Sequence, residues 1–100
     1  MTTDTLLRGR RAPSHAPYWT PLEGVLPRED CTNYMWMGEI ELESGLHIHA
    51  YKHCDTRRYL HIGEDGSSWV YDPLGYAPAI ITPAEQLAAD LSELNSPSAA

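Results

Sequence analysis

Between Tyr34 and Tyr71 apolar and polar residues alternate through four short runs separated by turn signals, and a period of two is the signature of strands buried on one face. The spacing predicts strands over Tyr34 to Leu42, Leu46 to His53, Tyr59 to Glu64 and Ser67 to Tyr71. Connections this short join antiparallel neighbours, so the chain reads as a four-stranded antiparallel β-meander. For the first hairpin, a two-residue Ser44-Gly45 turn would set Leu42 opposite His47 and mix apolar with polar on both faces. A three-residue loop ending in a left-handed Gly45 instead sets Ile40 opposite Ile48, Glu41 opposite His47 and Glu39 opposite His49, which keeps each face consistent. Asp65-Gly66 is a hairpin signal for the last pair.

A C-terminal helix follows. Thr82-Pro83-Ala84-Glu85 combines an N-cap, a proline at the first helical position and the glutamate of a capping box. Ala84, Leu87, Ala88, Leu91 and Leu94 form its apolar stripe. A helix of about 12 residues is marginal alone, so it is expected to pack on one face of the sheet, formed by Trp36, Ile40, Leu42, Leu46, Ile48, Ala50, Leu60 and Ile62 with Trp69 and Tyr71. The fold class is therefore α+β, with the domain over residues 31–95 and a frayed tail over 96–100. Residues 1–30 form a Pro-rich arm, because Pro13, Pro17, Pro21 and Pro27 disfavour regular helix or central strand. Disorder is expected to about residue 15, followed by an extended segment in which Tyr18, Trp19, Leu22, Val25 and Leu26 lie against the domain.

The formal charge of −7 falls entirely after residue 30, since four arginines balance four acids before it. Such a domain repels phosphate backbones, and the cluster Arg8, Arg10 and Arg11 is too small to reverse that, so direct nucleic-acid binding is disfavoured. A basic protein surface is the natural complement. There is no run of about 18 apolar residues to span a membrane and no signal-like segment, so a soluble, cytoplasmic protein is expected. In that setting Cys31 and Cys54 read as reduced thiols.

Five histidines occur, four of them between residues 47 and 61. With the helix on one face, the opposite face is expected to show Glu39, Glu41, His47, His49, Tyr51, His53, Tyr59 and His61. Within it, His47 and His49 with Glu39 or Glu41 are of the right type and spacing to ligate zinc or iron. That makes a metal-binding protein or metalloenzyme the alternative reading. No nucleophile elbow, phosphate loop or paired carboxylate motif accompanies them, so no cofactor is expected in the leading reading. The Tyr34-Met35-Trp36-Met37 run opens an edge strand with bulky side chains on both faces, a pattern suited to docking. The leading expectation is a small non-catalytic protein-binding or regulatory module that uses Met35, Met37, Tyr51, His53, Tyr59 and His61. A homodimer through the first strand would enlarge a limited core. The competing expectation at the same patch is that the Tyr18 to Leu26 segment folds back over it.

Overall fold

The computed structural model describes residues 6–13 and 16–95. The tail expected over 96–100 and part of the arm, with His15, lie outside them. The chain is an α+β fold in which one antiparallel sheet of six strands follows sequence order. Its strands are β1 (Gly9–Ala12), β2 (Tyr34–Leu42), β3 (His47–His53), β4 (Tyr59–Gly63), β5 (Ser68–Asp72) and β6 (Gly75–Pro78). The helices are α1 (Thr20–Glu23), α2 (Arg28–Cys31) and α3 (Pro83–Asn95).

The meander expected from the alternation is present, but the strand count of four is corrected to six. At the start of the chain, β1 pairs with β2, placing Gly9 opposite Leu42 and Arg11 opposite Ile40. At the other end, Asp72-Pro73-Leu74-Gly75 makes a turn in which Asp72 Oδ1 accepts from the Leu74 N–H at 2.9 Å. That turn sends β6 back along β5 with Tyr71 opposite Tyr76. The sheet curls until its ends meet: Leu7 and Tyr76 exchange both backbone hydrogen bonds, at 2.9 and 2.7 Å. The strand read as an edge, β2, is thus flanked on both sides over Glu39 to Leu42, while Tyr34, Met35 and Trp36 pair with β3 alone.

Side-chain parity along this sheet decides everything that follows. The β2–β3 register is the expected one from Glu39 to Glu41, with Gly45 at φ +96° closing the loop. Upstream, a bulge at Met37-Gly38 shifts the pairing, so Tyr34 meets His53 and Trp36 meets Tyr51. An extra residue in one strand reverses the faces on either side of it. Trp36 therefore joins the side of Glu39 and His49, not that of Ile40. Strand β4 is also reversed from expectation, with Tyr51 opposite Leu60 and Ala50 opposite His61.

The convex face carries Tyr34, Trp36, His49, Tyr51, Leu60 and Ile62, and here the main core forms. Most of the arm that should be merely extended contains two single helical turns packed on this face. Pro21 lies in the first turn of α1 and Pro27 is the N-cap of α2, positions where a missing N–H costs no helical bond. Leu22 and Leu26 are buried against Tyr51 and Cys31. The Tyr51 hydroxyl donates to the Tyr18 carbonyl at 2.5 Å, and burial pushes the hydroxyls of Tyr34 and Tyr51 well above the usual phenol range. Helix α3 adds Leu87 to the same cluster, contrary to the expectation that it covers Ile40, Ile48 and Ala50. Its N-terminus is the expected capping box: Glu85 N–H donates to Thr82 Oγ1 at 3.1 Å and Thr82 N–H to Glu85 Oε1 at 2.8 Å. With the arm and α3 both on the convex side, the concave side is left uncovered.

Candidate functional site

The concave face is closed at one end and open at the other. Leu42 and Ile48 are buried at the closed end. There a Cβ on Gly9 would lie 2.6 Å from Ile40 Cγ2 and 2.9 Å from Tyr76 Cε1, so glycine lets β1 approach both side chains. Toward the open end the face bounds a cleft of about 860 Å³. Strands β4 and β5 pair only at His61 with Trp69 and Ile62 with Ser68. Past that point they separate, and the cleft extends between Tyr59 and Tyr71 toward Gln86 and Asp90 of α3.

His61 lies at the centre of this cleft. Its position opposite both Ala50 and Trp69 puts it on the concave side, and the residue is only 8 % exposed. Three tyrosine rings surround it: Tyr59 stacks at 5.8 Å, Tyr76 meets it edge-on at 5.5 Å and Tyr71 tilts at 6.3 Å. Among the described residues the imidazole makes no hydrogen bond, while every side-chain nitrogen or oxygen sealed from solvent has a partner. The ring nitrogens therefore open onto the cleft. Burial disfavours the charged form and lowers the pKa of His61 to about 4, so near neutral pH it offers one N–H donor and one bare nitrogen acceptor.

The remaining polar groups of the cleft differ in how they are occupied. Arg10 is tied to Glu41 at 3.0 Å. Arg58 lies 3.8 Å from Asp90 and hydrogen-bonds Glu93. Arg11 donates to the Met37 carbonyl at 2.8 Å and has no carboxylate partner among the described residues. Strand parity thus separates Arg10 from Arg11, holding Arg10 against Glu41 and setting the Arg11 guanidinium over Gly38 on the concave side. Burial raises the Tyr76 hydroxyl pKa, and the charge of Arg11 pulls the other way.

The six residues expected to form one docking surface are divided between the two faces. Met37, Tyr59 and His61 line the cleft, and Met35, paired with Lys52, is on their side of the sheet. Tyr51 and His53 are buried on the convex side, where His53 Nδ1 accepts from the backbone of Asp55 and Thr56 at 3.0 and 3.2 Å. Sequence reasoning missed Arg11 and Tyr76 as cleft residues and set Trp69 and Tyr71 on the face opposite His61, whereas all four line the cleft with it. The signal that could have found the two tyrosines is Asp-Pro-Leu-Gly, the residue order of a tight type I turn, which makes a hairpin of β5 and β6.

Of the four residues expected to hold a metal, Glu39 and His49 come together at one end of the convex face with Glu64, which was not among them, while His47 and Glu41 lie outside that group. Ligand atoms of Glu39, His49 and Glu64 lie within 4.8 Å of one another. His47 hydrogen-bonds Glu39 through Nδ1 and sits 3.8 Å from Glu41 through Nε2, and the Glu39 contact raises its pKa. The hydrogen bonds of His49, however, specify its tautomer. Trp36 Nε1 can only donate, and it reaches His49 Nδ1 at 3.1 Å, so the imidazole proton is on Nε2 and faces Glu64 at 2.9 Å. For Nε2 to ligate a metal, that proton would have to move to Nδ1, against the Trp36 N–H. The donor set is arranged as a hydrogen-bond network, and a metal would have to break it.

A scan against protein-family models, a search of curated proteins and a search of solved structures each returned no match. No described helix is long and apolar enough to cross a membrane.

Proposed function

We propose that this protein is a non-catalytic binding module whose ligand is a small aromatic molecule held in the concave cleft. The observation that carries this reading is His61: a buried imidazole without a hydrogen-bond partner, walled by three tyrosines and facing about 860 Å³ of open space. Its ring nitrogens open onto the cleft, so a ligand atom there can take the hydrogen bonds that solvent otherwise makes. Cavities of this size lined by aromatic rings with a few polar groups suit small ligands. The described cleft residues include no nucleophile paired with a base, which favours binding over turnover.

The test is an amide ¹H–¹⁵N NMR titration with 2-naphthol, a neutral planar probe with one hydroxyl. Saturable shifts at Ala50, His61, Trp69 and Tyr76 are expected. Absence of saturable shifts at those residues would refute the reading.

A second reading, a protein partner, is favoured by a different observation. Val70, Tyr71, Leu74 and Ile80 are exposed by 50, 57, 77 and 100 % around the β5–β6 hairpin, and apolar groups gathered this way suit an interface. The partner would be a basic protein, matched to a net charge of −7, or a second copy of the chain. Light scattering across a concentration series separates a homodimer from a monomer that requires another protein.

A further inference from the structure

Resting on the cleft reading above, we infer that the ligand is an aromatic carboxylate with a polar atom at the end opposite its acid group. Two features at opposite ends of the cleft point to it. The first is Arg11. Its guanidinium lies over Gly38, where a Cβ would stand only 2.8 Å from Nη2, and its one hydrogen bond is to a carbonyl. Of the three arginines lining the cleft, Arg10 and Arg58 are matched to carboxylates. Arg11 alone of the three has no carboxylate partner among the described residues, so its charge is left for an incoming anion. A planar guanidinium fits a planar carboxylate through two parallel hydrogen bonds.

The second feature is His61. Gly38 pairs with Ala50 and Ala50 with His61, so Arg11 and His61 are separated by two strand spacings, about 10 Å. That is the span of a two-ring aromatic acid. Tyr76 stands between them, within 5.5 Å of His61 and close enough to Arg11 to feel its charge, and offers a ring face for the body of the ligand. His61 then meets the far end with either its donor or its acceptor nitrogen.

The acidity of the chain does not oppose this. Charges elsewhere are screened over about 8 Å at physiological ionic strength, whereas the carboxylate would touch Arg11 directly. The long-range field slows entry of an anion more than it weakens the contact.

Three probes and three variants test the inference by NMR titration: 6-hydroxy-2-naphthoate, 2-naphthoate and 2-naphthol, with Arg11→Met, Arg11→Lys and His61→Phe. The hydroxynaphthoate is expected to bind at least about tenfold more tightly than 2-naphthol. Arg11→Met should erase that difference and leave 2-naphthol unchanged, while Arg11→Lys retains part of it. His61→Phe should weaken both hydroxylated probes and spare 2-naphthoate. Each variant's spectrum shows directly whether the fold is kept, and Arg11→Lys decides the matter if Arg11→Met does not fold. If the acid binds no more tightly than 2-naphthol, or its advantage survives Arg11→Met, the inference is overturned while the cleft reading stands. If no probe saturates at the cleft, both fall.

Discussion

Replacing His61 by Phe should remove most of the sensitivity of this fold to mild acid. The native state lowers the His61 pKa to about 4 through burial, against about 6.5 in an unfolded chain. A depressed histidine pKa means that the unfolded state binds the proton first. The stability contributed by neutral His61 is complete above about pH 6.5 and is lost as pH falls toward 4. Integrating proton uptake between those two values gives a loss on the order of 2–3 kcal/mol at about pH 4.5 relative to about pH 7.5, a large share of the 5–15 kcal/mol typical of a domain. Phenylalanine keeps an aromatic ring among Tyr59, Tyr71 and Tyr76 but cannot titrate. Urea unfolding followed by tryptophan fluorescence, on both proteins at several pH values in that window, isolates the effect because every other titrating group is common to both. The wild type should lose roughly 2–3 kcal/mol more than His61→Phe. Parallel pH profiles would refute the reasoning and mean that the imidazole charges freely inside the fold.

Three further outcomes are expected. Leu22→Ala should cost about 2–5 kcal/mol in urea unfolding, because Leu22 is fully buried and anchors the arm; an effect below about 1 kcal/mol would show that the arm only rests on the sheet. Gly9→Ala should destabilise by roughly 1–3 kcal/mol through overpacking, since its Cβ would fall 2.6 Å from Ile40, and a neutral result would show that β1 can move outward without penalty. His47 is the opposite case to His61. The Glu39 hydrogen bond raises its pKa, so its contribution is complete below about pH 6.5 and disappears as pH rises through the folded value. His47→Gln should therefore lose a fraction of a kcal/mol at mildly acidic pH and nothing in alkali, the amount kept small by solvent around a side chain 35 % exposed.

Local turn chemistry made part of this fold legible in the sequence. Glu43-Ser44-Gly45 and the opposed apolar pairs specified the β2–β3 register because a slip would have exposed Ile40 and Ile48. Thr82 and Glu85 announced α3 for an equally local reason. What was not legible was parity accumulated across irregularities. The Met37-Gly38 bulge reverses β2, and a glycine inside a strand is the mark of such a site. The turn after His53 places Arg57 at φ +65°, a left-handed residue that is not glycine and so carries no signal. The Asp65-Gly66 hairpin closes with Gly63 N–H donating to the Ser67 carbonyl at 2.7 Å, a loop one residue longer than the boundaries Glu64 and Ser67 would set. These shifts move His61 and Tyr59 away from Tyr51 and onto the cleft side. The candidate site was therefore legible as a set of residue types, but not as a surface, since Arg11 and Tyr76 reach it only through the curl of the whole sheet.

The junction between Leu7 and Tyr76 has a consequence for how this protein fails. Two backbone hydrogen bonds there, a third from Glu43 N–H to the Arg8 carbonyl, four paired positions of β1 on β2 and the side-chain bonds of Arg10 and Arg11 join the first strand to its neighbours. If that strand peels away, both β2 and β6 become free margins at once. The nine residues of β2 include Met35, Trp36 and Met37, a bulky apolar run with open backbone groups, which is what another chain needs to add a strand. Exchange of the first strand between two copies would satisfy the same bonds without new contacts, so self-association under stress should begin at this junction and be suppressed by tethering it.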